Sequence, residues 1–431
     1  MVEIQIPEKV NKIIHTLQEH GYEAYAVGGC VRDSFLGREP MDWDITTSAM
    51  PEETKALFPH TFDTGIEHGT ITVLLDHEGF EVTTYRVDGK YEDSRHPKEV
   101  IFVRNLQEDL LRRDFTINAM AYNEKEGIVD IFGGMDDLRA GIIRCVGNAQ
   151  ARFSEDALRI LRGIRFAAQL GFELEDETRE GMRLLAPTLR KISAERIQVE
   201  LVKTLTSSRP DLLREAWKLG ITKEFLPEFD LAMETTQETV HHMYTVGEHI
   251  LHTLLEVRPD RILRLTMLLH DIGKPYMKTM DADGVAHFKG HPEKSSELAN
   301  EILHRLKFDN DTIRKVTKLV RYHDHRMPVT PAHVRRAVHE IGEDLFLLYL
   351  EVRRADVAAQ SMYQHKEKVA DIDGVEKLYH EIMERKECVS LKMLAVTGKD
   401  LIAAGMKPGK EIGQMLEHFL DLVLEHPELN Q

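Results

Sequence analysis

The sequence predicts an α+β protein, with an α/β head followed by a mostly helical remainder. Over about the first 140 residues, short segments of alternating apolar and polar residues lie between polar turns, which is typical of strands in a partly exposed sheet. Farther along the chain the apolar spacing changes to a period near 3.6, and the β-branched alternation fades. We therefore expect one sheet-containing domain at the N-terminal end and helical domains after it.

The head begins with a predicted helix, VNKIIHTLQEHG, which ends at Gly21 and leads into a predicted strand, EAYAVGG. The segment CVRDSFLG that follows is predicted to be a short helix. The segments GTITVLLD and GFEVTTYRV alternate in polarity and are joined by the polar residues DHEG. They are predicted to pair as neighbouring strands.

The change in texture along the chain divides it into four expected parts. These are an α/β head (1–140), a helical neck and body (141–235), a histidine-rich helical domain (236–365) and a helical tail (366–431).

Bulk composition excludes several classes of protein. The chain has 431 residues and a formal charge of −17, and it has no run of about eighteen apolar residues that would span a membrane. The N-terminus lacks the features of a signal peptide, and the three cysteines (Cys30, Cys145 and Cys388) are odd in number and far apart, which argues against a disulfide framework or a cysteine-based zinc site. We therefore expect a cytoplasmic protein without a membrane partner.

The acidic charge is unevenly distributed. Between Arg139 and Arg165 there are six arginines and only two acidic residues. Because charge acts locally, a polyanionic partner is expected to bind this middle part of the chain.

The segment AVGGCVRDSFLGREPMDWDITT combines glycines, an arginine and paired acids. Asp42 and Asp44 are two positions apart, so on a strand they would share one face, and their repulsion would favour a bound Mg²⁺. Gly28 and Gly29, between a strand and a helix, would let backbone N–H groups approach phosphates, with Arg32 beside them. Either pair alone could equally be a solvated turn, but together they predict a nucleoside-triphosphate and metal site.

The ordered pattern GGxVRD…LG…DxD…T resembles the catalytic motif of the DNA polymerase β-like nucleotidyltransferases. Within that group it is similar to class II tRNA nucleotidyltransferases and the related bacterial poly(A) polymerases. The segment LLRRDFTINAMAY resembles the second motif of this family, which implies that Arg113 and Asp114 recognise the ribose and the triphosphate. The resemblance also implies that Asp42 and Asp44 hold the catalytic Mg²⁺.

The segment RFSEDALRILRGIRFAAQLGF is predicted to be a helix capped by Ser154, with Asp156, Arg159 and Arg162 on one face and Arg165 extending it. This spacing is also typical of an ordinary helix with surface ion pairs. The family resemblance implies instead that an EDxxR motif reads the incoming base. A carboxylate accepts from the amino group of C or A while a guanidinium donates to the adjacent ring position, and U and G would present a carbonyl to the carboxylate. Arg162 and Arg165 would bind phosphates or neighbouring backbone.

Residues 85–100 resemble the loop that this family uses to switch from adding C to adding A. This resemblance implies that the chain can add A.

A second motif lies in the histidine-rich part, where LRLTMLLHDIGKP places a His-Asp pair at the end of an apolar helix. The order of residues resembles the HD superfamily of metal-dependent phosphohydrolases, which implies a divalent transition metal. The core ligands would be His249, His270, Asp271 and Asp356. His291 and His323 would be further ligands or would contact phosphate. Any one of these histidines could instead be an ordinary surface or core residue, and the domain could be purely structural.

In the tail, GMKPGKEIG offers backbone N–H groups together with Lys407 and Lys410, just before a predicted helix. This turn could bind an RNA phosphate or could be an ordinary corner between two helices. The family resemblance favours contact with RNA.

These observations together predict a template-independent tRNA nucleotidyltransferase that adds CCA to tRNA from CTP and ATP, with no role for DNA. Alternatives in the same fold are an enzyme that adds only A and a poly(A) polymerase. A more distant alternative is an HD phosphohydrolase whose inactive head only binds RNA.

Overall fold

A computed structural model describes residues 4–88, 100–241 and 243–431. The chain divides into two units, Met1–Phe225 and Leu226–Gln431. The strands of the first unit are β1 (Ala24–Val27), β2 (Ile45–Thr47), β3 (Thr61–Gly65), β4 (Thr70–Leu75), β5 (Glu78–Thr84), β6 (Arg86–Asp88), β7 (Val100–Phe102), β8 (Met120–Asn123), β9 (Gly127–Asp130), β10 (Ile142–Ile143) and β11 (Glu173–Leu174). Its helices are α1 (Glu8–Glu19), α2 (Gly29–Phe35), α3 (Pro51–Leu57), α4 (Leu106–Leu111), α5 (Gly134–Ala140), α6 (Ala149–Glu155), α7 (Leu158–Leu170), α8 (Asp176–Leu185), α9 (Ala194–Leu205) and α10 (Leu213–Lys218), with short 3₁₀ helices at Ile66–His68, Thr116–Asn118, Ala186–Lys191, Pro210–Leu212 and Thr222–Glu224.

Within the described residues, seven strands form one mixed sheet in the order β3-β4-β5-β2-β1-β8-β9. Strand β1 is completely buried and pairs antiparallel with both β2 and β8, while β2 runs parallel to β5. The predicted pair β4–β5 is an antiparallel hairpin whose turn residues, Asp76 and His77, have φ angles of 48° and 66°. Two consecutive positive φ angles match the twist of a tight hairpin, so the DHEG turn forms as the sequence predicts.

The predicted N-terminal helix is present as α1, and its buried residues follow the apolar spacing of the sequence. Val10, Ile13, Ile14 and Leu17 are its buried residues, which is the helical spacing. Gly21 follows with a φ of +85°, a conformation that glycine adopts without strain, and the chain then turns into β1.

Among its described residues, the second unit is helical apart from one short strand pair, β12 (Thr279–Met280) with β13 (Ala286–His287). Its helices are α11 (Pro227–Glu234), α12 (Val246–Glu256), α13 (Arg261–Leu269), α14 (Lys274–Met277), α15 (His291–Arg305), α16 (Asn310–Tyr322), α17 (Pro331–Ile341), α18 (Phe346–Ala358), α19 (His365–Glu384), α20 (Gly398–Ala403) and α21 (Lys410–Glu425), with short 3₁₀ helices at Leu391–Met393 and Pro427–Leu429. An apolar core packs α17, α18 and α19 together around residues such as Phe346 and Tyr379. The expected α/β head and helical remainder are confirmed.

Candidate active site

All the residues predicted to form the nucleotide site line a single cavity of about 610 Å³, which we call the head–neck cavity. These residues are Gly28, Gly29, Arg32, Asp42, Asp44, Arg113, Asp114, Asp156, Arg159, Arg162 and Arg165. They come from loops and helices that are far apart in the sequence but lie in one unit.

The acids Asp42 and Asp44 lie just before β2 rather than on it, so the prediction that they sit on a strand was wrong in detail. The chain is nevertheless paired at this point, because Val27 at the end of β1 donates its N–H to the Asp44 carbonyl at 3.0 Å. Removal from water raises the pKa of the Asp44 carboxyl; Arg113 opposes this rise, and the charge of Asp42 adds to it. Two neighbouring carboxylates that disfavour each other's charge fit a divalent cation held between them.

Gly28 begins the loop over the cavity, with a φ of +82°. A Cβ atom at this position would lie 3.0 Å from Nη1 of Arg113, so glycine permits the close approach of that guanidinium. The burial of Arg113 lowers its pKa. Nε of Arg113 is buried, and among the described residues it has no hydrogen-bond partner. A buried donor of this kind at the wall of a cavity suits a polyanionic ligand.

Asp114 anchors another arginine of the cavity wall. Its Oδ2 accepts from Nε of Arg162 at 2.7 Å, and its Oδ1 accepts from the N–H of Phe115 at 2.8 Å. Burial alone would raise the pKa of Asp114, but the Arg162 guanidinium outweighs it and lowers the pKa to about 2. Asp114 is therefore an ionised anchor at the base of the cavity.

The base-reading segment, residues 152–172, contains parts of two helices rather than the single helix predicted. Ser154 lies inside α6, which Asn148 caps instead by accepting from the N–H of Ala151 at 2.9 Å. The chain leaves helical geometry at Asp156 (φ −140°, ψ 105°), and α7 begins only at Leu158. Ser154 is thus not a helix cap, and Asp156 is not on the same helix as Arg159.

A local hydrogen bond explains this break. Oδ1 of Asp156 accepts from the N–H of Leu158 at 3.0 Å, which satisfies an otherwise free donor in the first turn of α7. Arg159 is 8% exposed, and its Nη1 donates to Oε2 of Glu155 at 2.6 Å. Both side chains still line the head–neck cavity.

Sequence reasoning missed several side chains of this cavity, among them Asn118, Phe166 and Arg196. Oδ1 of Asn118 accepts from Nη1 of Arg32 at 2.7 Å. The guanidinium of Arg196 donates to Oδ2 of Asp156 at 2.8 Å. The only signal for Asn118 was its place in the motif DFTINAMA, and Arg196, on the distant helix α9, gave no local signal.

Phe166 organises three arginines around its ring. The guanidinium carbons of Arg32, Arg162 and Arg165 lie 5.1, 5.3 and 4.3 Å from the ring centroid, distances at which a cation is attracted to an aromatic ring. Arg165 is also paired with Glu200 at 3.1 Å, and burial lowers its pKa to about 10. The wall of the cavity is thus a set of cations held in fixed positions.

The second unit contains a different arrangement, which we call the histidine cluster. Its members are His249, His270, Asp271, His291, His323 and Asp356. They form two overlapping groups whose ligand atoms lie within 4.8 Å of one another, and both groups include Asp271. The structure thus brings together all the residues that the sequence predicted for this site.

Asp271 lies at the centre of the cluster and is 1% exposed. Its Oδ2 is 3.5 Å from Nε2 of His249 and 3.4 Å from Nε2 of His270. Its Oδ1 is 3.3 Å from Nε2 of His291 and 3.4 Å from Nε2 of His323. None of these four imidazole contacts has the geometry of a regular hydrogen bond.

The imidazoles share one orientation. Nδ1 of His270 is 2.7 Å from the Met267 carbonyl, Nδ1 of His291 is 2.8 Å from the Phe288 carbonyl, and Nδ1 of His323 is 2.6 Å from the Val320 carbonyl. A backbone carbonyl at Nδ1 fixes the proton there and leaves the lone pair on Nε2. Because these Nε2 atoms converge on Asp271, the cluster fits a metal cation.

A cavity of about 440 Å³ lies over the histidine cluster. Besides members of the cluster, it is lined by Lys274, Lys289 and Arg326. Nζ of Lys274 is 2.7 Å from Oδ2 of Asp271. Cations around a candidate metal centre suit a phosphate-bearing ligand.

Two further predicted features are the lysines of the tail turn and the loop at residues 85–100. Lys407 is exposed, and Lys410 is the exposed first residue of α21 rather than a residue of the turn before it. Most of the loop at 85–100, that is 89–99, lies outside the described residues.

Three protein-family models match successive parts of the chain. A Poly A polymerase head domain matches residues 24–144, an RNA and SrmB-binding site of polymerase A matches residues 171–233, and tRNA nucleotidyltransferase domain 2 matches residues 289–431. A CCA-adding enzyme of Levilactobacillus brevis is 36% identical over 95% of this chain and 91% of that protein. The chain belongs to the CCA-adding enzyme family. A second relative, the CCA-adding enzyme of Pediococcus pentosaceus, is 36% identical over 98% of this chain and 94% of that protein.

The fold comparison gives the same result. The crystal structure of the Bacillus stearothermophilus CCA-adding enzyme in complex with CTP superimposes with a TM-score of 0.71 at 30% identity, covering 98% of this chain and 94% of that one. The prediction of a nucleotidyltransferase of the CCA-adding family is confirmed. Within the described residues, no helix has the length and apolar character needed to cross a bilayer.

Proposed function

We propose that this CCA-adding enzyme extends tRNA 3′ ends with C, C and A from CTP and ATP, without a nucleic-acid template. The observation that carries the proposal is the convergence of paired acids, cations and base-reading candidates on the head–neck cavity. Relatives named CCA-adding enzyme span nearly the whole chain, and one solved relative holds CTP. CTP is therefore a substrate that this cavity is expected to accept.

The triphosphate is proposed to bind among the arginines of the cavity wall. The Gly28 N–H already donates to the Met120 carbonyl at 3.1 Å, so of the two glycines only Gly29, the first residue of α2, would offer a backbone N–H to phosphate. Arg113 supplies a half-buried guanidinium whose Nε is buried. Arg32 is held beside them by Asn118. Because these donors are fixed before the ligand arrives, little reorganisation is needed on binding.

The paired acids are proposed to hold Mg²⁺, since Asp42 and Asp44 both line the cavity and the charge of Asp42 raises the pKa of Asp44. When bound, Mg²⁺ supplies activation of the tRNA 3′-hydroxyl and neutralises charge on the departing pyrophosphate. The surrounding arginines orient the triphosphate so that its α-phosphorus lies near that hydroxyl.

The base is proposed to be read by Asp156 and Arg159. Asp156 can accept from the amino group of C or A, and Arg159 can donate to the neighbouring acceptor. The carbonyl of U or G would face the Asp156 carboxylate without a proton between them, which a buried site penalises strongly. We also propose that the chain has the four parts expected from its sequence, 1–140, 141–235, 236–365 and 366–431, and that the last part binds RNA.

The test is single-nucleotide incorporation by the full chain. Transcripts ending at the discriminator base, after C and after CC are each incubated with labelled CTP or ATP. The expected result is C addition to the first two, A addition to the third, and arrest after A. Action only on the CC-ended transcript would indicate an A-adding enzyme, unlimited A addition would indicate a poly(A) polymerase, and no incorporation would overturn the proposal.

A second function is favoured by the histidine cluster. We propose that its residues hold a divalent transition metal and hydrolyse phosphate esters. The cluster provides converging imidazole Nε2 atoms and buried carboxylates, a donor set that suits such a metal. When bound, the metal polarises the phosphate and activates water. Lys274 and Arg326 line the overlying cavity and would bind the remaining phosphate charge.

This second proposal is tested without the first. The full chain is treated with chelator, reloaded separately with Mn²⁺, Ni²⁺ or Zn²⁺, and assayed for bound metal by mass spectrometry and for hydrolysis of a chromogenic phosphomonoester and phosphodiester. Stoichiometric metal with hydrolysis supports the proposal. Stoichiometric metal without hydrolysis would leave a structural centre, and no retained metal would overturn both claims.

A further inference from the structure

We infer that Gln360 is a positioning residue for the Asp356 carboxylate and thereby sets how tightly the histidine cluster holds a metal ion. This inference rests on the second proposed function, because it assigns a role beside the proposed metal site. It concerns Gln360 and its neighbour Lys368, neither of which belongs to the cluster itself.

A hydrogen bond connects Gln360 to one oxygen of Asp356. Nε2 of Gln360 donates to Oδ2 of Asp356 at 2.9 Å. The other oxygen, Oδ1, lies 2.9 Å from Nε2 of His249 and 3.7 Å from Nε2 of His270. The carboxylate therefore presents one oxygen to the imidazoles and the other to the amide. A carboxylate that binds a metal through one oxygen commonly has such a hydrogen-bond partner at the other.

The amide of Gln360 is held from its other end by Lys368. Oε1 of Gln360 accepts from Nζ of Lys368 at 2.8 Å. A carboxylate can only accept and an ammonium can only donate, so the amide fits between Asp356 and Lys368 in one orientation. Asp356 lies on α18 and Lys368 on α19. The amide therefore cannot turn without losing a hydrogen bond to one of two helices.

Asp356 needs this restraint because its side chain does not provide it. The terminal torsion of an aspartate is broad, so the plane of an unrestrained carboxylate turns easily. Asp356 is only 4% exposed, so an oxygen that loses its donor there is not readily compensated by water. Removal of the Gln360 amide should therefore let the carboxylate turn toward other partners.

The same segment of chain also orients His249. Three imidazoles of the cluster have Nδ1 next to the carbonyl of the residue three positions before them. Nδ1 of His249 is instead 3.3 Å from the carbonyl of Ala359, which is 110 positions away. Ala359 and Gln360 directly follow α18. One short segment thus holds both His249 and Asp356, and Lys368 holds that segment through Gln360.

The chemical consequence concerns metal affinity. A ligand that is already held in its binding orientation loses little freedom when the ion arrives, and its affinity depends on the residues that hold it. Gln360 also lines the cavity over the cluster, but its amide is directed to Asp356 and Lys368. We therefore assign it to the support of the ligand rather than to the binding of phosphate.

The test measures Co²⁺ binding by full-length proteins from which metal has been removed with chelator. The probe is Co²⁺ because its visible absorption depends on the kind and number of its ligands, which separates an imidazole site from one made of carboxylates and water. The proteins are wild type, Gln360→Met, Lys368→Met, Lys368→Arg, Asp356→Ala and the double variant Gln360→Met/Asp356→Ala.

Two controls match these substitutions at exposed positions of the same unit. Gln414→Met replaces an exposed glutamine of α21, and Lys377→Met replaces an exposed lysine of α19. Thermal unfolding of the metal-free proteins verifies that each variant is folded. Both controls should bind Co²⁺ as the wild type does.

In Gln360→Met we expect the dissociation constant of Co²⁺ to rise by about tenfold or more. The visible absorption of the bound ion should also weaken, because a carboxylate that turns freely can offer both oxygens and raise the coordination number. The double variant should bind as Asp356→Ala does, since Gln360 acts through that carboxylate.

The lysine variants test the outer support. Lys368→Met should raise the dissociation constant by a smaller factor, about threefold, because the amide remains but loses one of its two partners. Lys368→Arg should stay close to wild type, since a guanidinium can also donate to Oε1 of Gln360. If Gln360→Met unfolds early, this pair of variants still decides, and equal dissociation constants for the two would overturn the inference.

Two further results would overturn the inference while leaving the second proposed function intact. One is an unchanged dissociation constant in a folded Gln360→Met. The other is a double variant that binds Co²⁺ more weakly than Asp356→Ala, which would mean that Gln360 acts on the metal independently of Asp356. A wild-type chain that shows no imidazole-bound Co²⁺ would overturn the second proposed function and this inference together.

Discussion

In the head–neck cavity, cations form the wall and the acids that pair with them lie behind or beside them, as with Asp114 behind Arg162. In the histidine cluster the arrangement is reversed: the carboxylate of Asp271 is central and the nitrogen atoms surround it. The first arrangement leaves positive charge facing an open volume, and the second directs lone pairs at a common point. The same residue types therefore suit a polyanion in one unit and a metal cation in the other.

The largest expected effect separates the two sites. Asp44→Asn keeps the size of the side chain but removes the charge, so incorporation of CTP should fall by about a thousandfold, since a metal-binding carboxylate contributes several kcal/mol. Metal bound by the histidine cluster should be unchanged. The control is Asp63→Asn, an exposed acid on β3 paired with Lys55, which should retain wild-type incorporation. Full activity in Asp44→Asn would show that the acids are not the catalytic pair.

The converse variant is His270→Gln. Its imidazole is buried with Nδ1 at a backbone carbonyl, so removing it should eliminate most bound transition metal and any hydrolysis. Incorporation of CTP should stay within about twofold of wild type, because the sites lie in different units. His304→Gln replaces an exposed histidine of α15 and serves as the control. Parallel loss of incorporation and metal would contradict two independent sites.

A smaller effect is expected for the ion pair between Asp114 and Arg162, and it should depend on pH. The pKa of Asp114 is lowered to about 2, compared with about 3.9 in an unfolded chain. The ion pair therefore stabilises the fold fully above about pH 4, and this contribution is lost as the pH falls toward 2. Asp114→Asn should reduce the free energy of unfolding by about 2 kcal/mol at pH 7. The difference in this free energy between wild type and variant should become smaller below pH 4.

The measurement can be confined to the unit concerned. Both tryptophans of the chain, Trp43 and Trp217, lie in the first unit, so tryptophan fluorescence during urea unfolding reports on that unit. If the difference in free energy of unfolding between wild type and Asp114→Asn stayed constant from pH 7 to pH 3, the charge of Asp114 would not be the cause of the lost stability. Asp63→Asn again provides the surface comparison.

The two sites also differ in how far the sequence could predict them. All six members of the histidine cluster could be named from the sequence, because their order from His249 to Asp356 resembles a known motif, and the structure brings them together. The head acids and glycines were predicted for a similar reason. Burial and orientation could not be read from the sequence, and neither could the backbone carbonyls that fix each imidazole.

In the base-reading segment, local reasoning named residues that the structure does bring to the head–neck cavity, but it predicted the wrong local geometry. Periodicity placed Asp156 on a helical face, yet its carboxylate bonds to the N–H of Leu158 and the helix breaks. Arg196 was missed because its partner lies forty residues away, and the sequence does not tell which of the many neck arginines faces the cavity. Asn118 and Phe166 were missed because each of them holds an arginine in place. The arginines alone already accounted for the motifs in which they occur, so no role was left to assign to their neighbours.

The smallest expected effect asks whether the second unit contributes to RNA binding as well as to metal binding. Lys407 is exposed in the turn before α21 and Lys410 at the first residue of that helix, where each could neutralise one phosphate. Lys407→Gln/Lys410→Gln should weaken tRNA binding by about threefold to tenfold at low salt, and the slope of log affinity against log salt should become shallower by about one to two. The preference for CTP over UTP should not change, because phosphate contacts carry no base information. Lys366→Gln/Lys377→Gln, two lysines of α19, is the matched control for charge. An unchanged salt slope in the tail variant, or an equal change in the α19 variant, would mean that the turn is an ordinary corner between helices and that the RNA-binding charge of this chain lies elsewhere.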